Sequence, residues 1–121
     1  MNISEILKNY LLEKRPWGQF EQFTRNESVT FKILTVNPSQ AFSEQYHNER
    51  DEIWIVIQGS GKVRVGSVDT EARVNDRFYI PRGTVHRITG GPEGIQCIEI
   101  VVGKTFREDD IVRIKDEYGR V

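Results

Sequence analysis

Hydrophobic and polar positions change their spacing early in the chain. Between Ile3 and Leu11, apolar side chains recur three and four positions apart, which predicts a short amphipathic helix within residues 1–14. Pro16 and Gly18 follow, and they favour a helix end and a turn, because proline cannot continue a helix and glycine tolerates turn conformations. We therefore expect one N-terminal helix ahead of the main fold.

From about residue 20 onward, short apolar or alternating runs predict strands separated by turns rich in glycine, proline or asparagine. Lys62–Val65 alternates apolar and basic residues, as expected of a strand with one buried face. Ile53–Ile57 is apolar throughout, so its outer face should also be covered, by the helix or by a second subunit. The other predicted strands are Phe31–Val36, Glu52–Gln58, Phe78–Ile80, Val85–Thr89 and Ile95–Val102, with turns at Gly59–Gly61 and Gly90–Pro92.

This succession of short strands predicts an all-β sandwich or barrel. We expect a single domain over residues 1–121, with the barrel in residues 20–103 and a C-terminal arm in residues 104–121. A chain of 121 residues suits one hydrophobic core, and a second independent core would not fit.

Composition limits the kinds of partner and the cellular compartment that we expect for this protein. The chain carries 17 basic and 18 acidic residues, so a global basic field that would attract nucleic acid is absent. No apolar run approaches the roughly 20 residues that a membrane helix needs, and the N-terminus does not resemble a secretory signal. The lone cysteine, Cys97, cannot form an intramolecular disulfide, which favours a reducing cytoplasm.

Both histidines of the chain lie in segments that suit a metal site. Gln45 and His47 are two positions apart, so on a strand their side chains share a face. Glu52 opens the next predicted strand, and the Pro81–Gly83 turn leads into His86. Two imidazoles and one carboxylate form a competent site for a divalent metal, and the amide oxygen of Gln45 would complete it. The alternative is that each histidine is a hydrogen-bonded core residue.

Several charged residues are candidates for substrate chemistry. Lys32 lies in an otherwise apolar strand, where an unpaired ammonium would be costly, and Arg50 lies between His47 and Glu52. Glu99 interrupts an apolar run, and alternation along the strand leaves open whether it faces the interior or the solvent. The alternative for each of them is a solvated surface charge.

The spacing resembles the two cupin motifs, His-x-His-x4-Glu-x6-Gly and Pro-x-Gly-x2-His, with Gln45 at the first histidine position. A second resemblance rests on the flanking segments, which are Arg15–Gly18, the strand around Lys32, Gln45–His47, Arg50-x-Glu52-x-Trp54, Glu108–Arg113 and Asp116-x-Tyr118-Gly119-Arg120. Together they resemble the type II mannose-6-phosphate isomerase family, whose domain usually forms the C-terminal half of bifunctional mannose-1-phosphate guanylyltransferases. The resemblance implies a double-stranded β-helix (a cupin jelly-roll barrel), a homodimer, and interconversion of mannose 6-phosphate and fructose 6-phosphate through a cis-enediol.

The resemblance also implies a role for each candidate residue. The implied metal ligands are Gln45, His47, Glu52 and His86, with zinc as the first choice and nickel, iron or manganese as alternatives. This reaction needs a proton carrier, for which Lys32 and Glu99 are the candidates from their places in the strands. Arg113, with Arg15 or Arg50, would hold the phosphate of the sugar-phosphate substrate.

The departures from the family pattern leave two alternatives. Asn48, Glu49 and Ile53 stand where relatives commonly carry histidines, and the chain has no counterpart of the guanylyltransferase half. These departures favour a non-catalytic cupin that binds a sugar phosphate or nucleotide sugar beside a separate guanylyltransferase. The third hypothesis is an iron-dependent oxygenase built on His47, Glu52 and His86. The nearby basic residues and Gln45 favour the isomerase over the oxygenase.

Overall fold

A computed structural model describes residues 7–103 and 110–115, and this part of the chain consists of β-strands joined by turns. The first two strands, β1 and β2, form an antiparallel hairpin, and the others form a seven-stranded sheet. The bounds are β1 Leu11–Arg15, β2 Gly18–Gln22, β3 Val29–Val36, β4 Glu44–Tyr46, β5 Arg50–Val65, β6 Val68–Ala72, β7 Arg77–Ile80, β8 His86–Gly103 and β9 Val112–Lys115.

The two longest strands, β5 and β8, pair along their whole length and carry the other strands. The order along the sheet is β6-β5-β8-β4-β9, with β3 also paired to β8 and β7 to β5. Trp54 pairs with Glu99 near one end of this ladder, and His86 pairs with Val65 at the other end. The rings of Trp54 and His86 are nevertheless only 5.4 Å apart, so the ladder bends until its two halves face each other. The enclosed core is Val36, Trp54, Val56, Val63, Ala72, Ile80, Ile88, Ile95 and Cys97.

The predicted turns at Gly59–Gly61 and Gly90–Pro92 are wrong: both segments are bends inside continuous strands. The β5–β8 register shifts on either side of Gly59, as at a β-bulge. Gly59 has φ +74°, and a Cβ there would overlap the carbonyl oxygen of Gly94. Glycine is needed because the two backbones approach closely where the strands turn from one half of the barrel to the other.

The predicted N-terminal helix is replaced by strand where the structure describes it. Leu7–Asn9 form a turn, Leu11–Arg15 form β1, and residues 1–6 lie outside the described part. Pro16 and Trp17 form the turn that returns the chain as β2, so the backbone groups of β1 bond across the hairpin. Pairing with a second strand satisfies these groups better than an isolated helix of this length would.

The outer face of the sheet is only partly covered. Ile53 is fully buried, whereas Phe31 and Ile33 on β3 are 61% and 57% exposed. These two residues pair with Ile100 and Ile98 on β8, so the four side chains share one face. The expectation that the outer face of Ile53–Ile57 is covered is met at Ile53 but not at Ile57, which is 38% exposed.

Part of the predicted C-terminal arm joins the sheet. β9 pairs antiparallel with β4, whereas residues 104–109 and 116–121 lie outside the described part.

Within the described ranges, no helix has the length and apolar character needed to cross a membrane. Overall, the all-β prediction is confirmed.

Candidate metal centre

His47, Glu52 and His86 meet inside the barrel. His47 Nε2 lies 3.4 Å from Glu52 Oε1, and His86 Nε2 lies 3.3 Å from Glu52 Oε2. Each of the three residues offers a ligand atom within 4.8 Å of the others, and all three are at most 2% exposed. The folded sheet therefore brings together one carboxylate and two imidazoles from β5, β8 and the segment after β4.

Backbone carbonyls orient both imidazoles. His47 Nδ1 lies 2.5 Å from the carbonyl oxygen of Asp110, and His86 Nδ1 lies 2.9 Å from that of Thr84. A carbonyl oxygen can only accept a hydrogen bond, so each Nδ1 carries the proton and each Nε2 presents a lone pair towards Glu52. This arrangement is the usual one for histidines that bind a metal through Nε2.

Burial sets the protonation states of the cluster. It lowers the pKa of His86 to about 3 and also lowers the pKa of His47, so both rings are neutral at neutral pH. Burial, followed by the nearby charge of Glu99, raises the pKa of Glu52 well above its usual value. Neutral imidazoles are the form that binds a metal.

The donor set fits a divalent cation. Both carboxylate oxygens of Glu52 and the Nε2 of His86 are buried and have no hydrogen-bond partner within the described residues. Unsatisfied acceptors of this kind are costly in a protein interior unless a cation or a donor meets them. Nitrogen and oxygen ligands in this number suit zinc and other first-row transition metals.

Arg50 points into this cluster. Its side chain is almost fully buried, with Nη2 3.1 Å from His47 Nε2 and Nε 3.5 Å from Glu52 Oε1. The guanidinium therefore uses the same lone pair of His47 that a metal ion would need. A metal ion bound to this nitrogen requires Arg50 to move away from it.

Gln45 and Arg113 lie beside His86 on the same face of the sheet. Gln45 pairs with His86 on one side and with Arg113 on the other, and residues directly opposite each other share a face. The Oε1 of Gln45 accepts a hydrogen bond from Ser43 Oγ at 3.0 Å, so its role as a fourth ligand stays a prediction. Arg113 Nε is buried without a hydrogen-bond partner among the described residues.

Lys32 and Glu99 face the interior next to Glu52. Lys32 pairs with Glu99, which pairs with Trp54, so the three side chains share the inner face. Glu99 is 5% exposed and accepts a hydrogen bond from Trp54 Nε1 at 3.0 Å. The question that alternation left open is thus resolved: Glu99 points inward together with Cys97.

Arg15 is placed differently from the other candidates. It lies on the N-terminal hairpin, where Nη2 is 2.8 Å from Glu13 Oε2 and the guanidinium packs over the ring of Phe20. The structure does not bring it together with the residues around Glu52. Its contact with substrate stays a prediction.

Two aspartates that support the site were missed by sequence reasoning. Asp51, which is 2% exposed, accepts hydrogen bonds from the backbone and guanidinium of Arg82. Gly83 N donates to the carbonyl oxygen of His47, so the turn leading into His86 is tied to the first ligand segment. Asp110 orients His47, and the available signal was its place in the C-terminal segment that resembles the family.

Comparison with known sequences identifies close relatives. Residues 4–116 match the family model described as mannose-6-phosphate isomerase C-terminal. The mannose-1-phosphate guanylyltransferase ManC of Salmonella typhimurium is 35% identical over 108 residues, which cover 88% of this chain and 22% of that protein. The xanthan biosynthesis protein XanB of Xanthomonas campestris pv. campestris is 37% identical over 107 residues, 88% of this chain and 23% of that protein. The chain thus spans less than a quarter of the length of these relatives.

Solved structures share the fold at low sequence identity. A cupin protein from Bacteroides fragilis has a TM-score of 0.57 and 17% identity, covering 66% of this chain and 70% of that one. KdgF from Halomonas sp. has a TM-score of 0.60 and 17% identity, covering 72% and 77%. CapF, a capsular polysaccharide assembling protein from Staphylococcus aureus, has a TM-score of 0.61 and 19% identity, covering 88% and 32%. These similarities confirm the cupin barrel.

Proposed function

Because this chain belongs to the mannose-6-phosphate isomerase C-terminal family, we propose that it is a metal-dependent isomerase that interconverts mannose 6-phosphate and fructose 6-phosphate. The observation that carries the proposal is the meeting of His47, Glu52 and His86, with both Nε2 lone pairs directed at one carboxylate. We assign the activity to the cytoplasm, in keeping with the buried free thiol of Cys97.

The metal would be held by His47, Glu52 and His86, with Gln45 as the proposed fourth ligand. Zinc is our first choice, and nickel, iron or manganese would also suit nitrogen and oxygen ligands. Bound there, a divalent cation would supply Lewis acidity to the sugar oxygens on C1 and C2, which gain negative charge in the transition state. Asp51 and Thr84 keep His86 in place, and Asp110 does the same for His47.

Glu99 is our proposed base. Aldose–ketose isomerisation removes a proton from C2 of mannose 6-phosphate and returns it to C1, and one carboxylate can carry it between the two carbons. Trp54 holds one oxygen of Glu99, and Lys32 is the directly paired neighbour on β3. We propose that Lys32 stabilises the enediol as it forms, since a cation on the same inner face favours negative charge on the sugar oxygens.

Arg113 and Arg50 are our proposed phosphate ligands. The buried Nε of Arg113 lacks a partner among the described residues, as expected of a donor that awaits an anion. Arg50 leaves His47 when the metal binds, and its guanidinium then becomes available to the substrate. Guanidinium groups suit phosphate because their parallel N–H donors match its oxygens.

The decisive experiment measures turnover of the zinc-loaded protein on mannose 6-phosphate by NMR. We expect the wild type to produce fructose 6-phosphate, His47→Ala with His86→Ala to lose zinc and activity, and Glu99→Gln to keep zinc but lose turnover. Glu71→Gln, on the exposed strand β6, is the matched control and should behave as wild type. Absence of turnover on every hexose and pentose phosphate, with metal bound, would refute the isomerase.

A second candidate is a non-catalytic module that binds a sugar phosphate or nucleotide sugar. The contact between Arg50 and His47 favours it, because the guanidinium competes with the metal on which isomerisation depends. Calorimetric titration with mannose 6-phosphate separates the two: the module gives a binding isotherm without product, and the isomerase gives both.

We also propose that the exposed face of β3 pairs with a second copy of the chain. The outward positions Val29, Phe31 and Ile33 are apolar and exposed, and their paired neighbours Ile98 and Ile100 extend the same surface. A contiguous apolar face is unfavourable in water, and a symmetric dimer would bury it on both copies at once.

A further inference from the structure

Asp110 contacts the first metal-ligand segment at three points. Its backbone oxygen accepts the hydrogen bond from His47 Nδ1. Its side chain then accepts from two successive backbone N–H groups, with Oδ1 3.0 Å from Asn48 N and Oδ2 2.8 Å from Glu49 N. Asp110 thus contacts both the imidazole of His47 and the backbone of the two residues that follow it.

The carboxylate and the carbonyl of Asp110 have different effects on the site. The carbonyl sets the tautomer of His47, because it can only accept a hydrogen bond. The carboxylate holds the carbonyl in position, because its two bonds fix the residue against Asn48 and Glu49. Charge-assisted hydrogen bonds are stronger than neutral ones, and two of them from one carboxylate restrict its orientation.

The strand that follows Asp110 completes the same side of the barrel. β9 pairs with β4, and Arg113 lies directly opposite Gln45. The segment of residues 110–115 therefore brings two groups to the candidate site: the carbonyl that orients His47, and the guanidinium of Arg113, whose Nε is buried.

We propose that Asp110 is a positioning residue: it fixes the tautomer and ring orientation of His47, and docking of residues 110–115 completes the metal-binding site. The part that concerns metal affinity rests on the proposed function. The part that concerns the tautomer applies to the metal-free protein and stands without it. If Asp110 served only to anchor β9, its substitution would leave the tautomer of His47 unchanged.

The test compares Asp110→Ala and Asp110→Asn with the wild type. Long-range proton–nitrogen NMR of the metal-free protein reports the histidine tautomers, and calorimetric titration with zinc alone reports affinity. Asp69→Asn is the control, since this exposed carboxylate on β6 pairs with Arg64 instead of contacting a ligand segment. His86 is an internal reference, because Thr84 orients it.

We expect His47 in the wild type to carry its proton on Nδ1 and to show a mixture of tautomers in Asp110→Ala. Zinc affinity should fall roughly 10- to 100-fold in that variant, as for other partners of metal-bound histidines. Asp110→Asn keeps the size and one acceptor, so it should lie between the wild type and Asp110→Ala. Asp69→Asn should match the wild type, and His86 should not change in any variant.

The proposal is overturned if the folded Asp110 variants keep the wild-type tautomer of His47 and wild-type zinc affinity. If the wild type itself binds no zinc while Asp110→Ala still alters the tautomer of His47, the proposed function fails and the positioning role of Asp110 stands. The two ideas are therefore tested separately.

Discussion

Arg50 donates a hydrogen bond to His47, and the acceptor is Nε2, the nitrogen through which His47 would bind a metal. The same guanidinium lies 3.5 Å from Glu52, so it supplies positive charge to the cluster. A metal ion at this nitrogen would therefore compete with Arg50 for one lone pair, so its binding would require release of the guanidinium.

Replacing Arg50 with methionine should tighten zinc binding. The substitution keeps a flexible unbranched apolar side chain but removes the competing donor and a nearby positive charge. A hydrogen bond to a charged group contributes about 1.5 kcal/mol or more, which corresponds to a roughly tenfold gain in affinity. Calorimetric titration checks this, with Arg64→Met as the control, since Arg64 pairs with the exposed Asp69. A weaker affinity in Arg50→Met would show that Arg50 supports the metal instead of competing with it.

The metal-free protein should lose stability as the pH falls from 6.5 towards 3. Burial lowers the pKa of His86 in the folded protein to about 3. Below pH 6.5 this ring is therefore protonated in the unfolded chain but still neutral in the folded one, which favours unfolding. For His86 the loss approaches about 1.4 kcal/mol per pH unit within this window. His47, whose pKa is also lowered by burial, adds to the effect. Glu52 has a raised pKa and acts in the opposite sense, because folding is then favoured by its protonation.

Urea unfolding in the presence of a chelator, at pH 7 and pH 5.5, measures this dependence. His86→Gln should flatten it by removing one of the two histidines. An unchanged pH dependence in His86→Gln would contradict the assignment of the acid sensitivity to this ring.

Gly59→Ala should destabilise the protein far more than Gly66→Ala. Both glycines have positive φ, +74° and +63°, so alanine is strained at either position. At Gly66 the new methyl group would make an ordinary contact with Thr84 Cγ2 at 4.0 Å, whereas at Gly59 it would overlap the carbonyl oxygen of Gly94. We expect about 1 kcal/mol for Gly66→Ala and about 3 kcal/mol or more for Gly59→Ala, measured by urea unfolding. Equal losses would mean that β5 and β8 can separate at the bend without cost.

Phe31→Lys combined with Ile33→Lys should convert the proposed dimer to a folded monomer. Both side chains are more than half exposed in one chain, so the substitutions should leave the free energy of unfolding of the monomer within about 0.5 kcal/mol. Sedimentation equilibrium measures the association, and Val68→Lys on β6 is the control for adding charge at an exposed apolar residue. A dimer that survives the double substitution would place the interface elsewhere.

The features that the sequence predicted depend on short-range patterns. The candidate metal site was predictable because its ligand spacing is set locally. A short loop between two strands separates His47 from Glu52, and a Pro-x-Gly turn precedes His86. The bend at Gly59 was predicted as a turn, since a glycine that ends a strand and one that lets two strands cross have the same local signature. The N-terminal spacing fitted a helix, but the pairing of β1 with β2 decided its conformation.

The remaining features depend on residues distant in sequence. The direction of Glu99 followed from its pairing with Lys32 and Trp54, which alternation along one strand does not reveal. The role of Asp110 depends on a contact across 63 positions. The direction of Arg50 depends on the closed barrel, in which its side chain is buried against His47 and Glu52.

The position of Asp110 in the chain separates the candidate metal ligands from the group that orients one of them. His47, Glu52 and His86 all lie at least 24 positions before the carbonyl oxygen that orients the first of these rings. A shortened polypeptide that stops before residue 110 would therefore carry all three side chains while His47 is free to exchange between tautomers. A premature stop codon just before residue 110 should yield a protein that binds metal more weakly than the 121-residue chain.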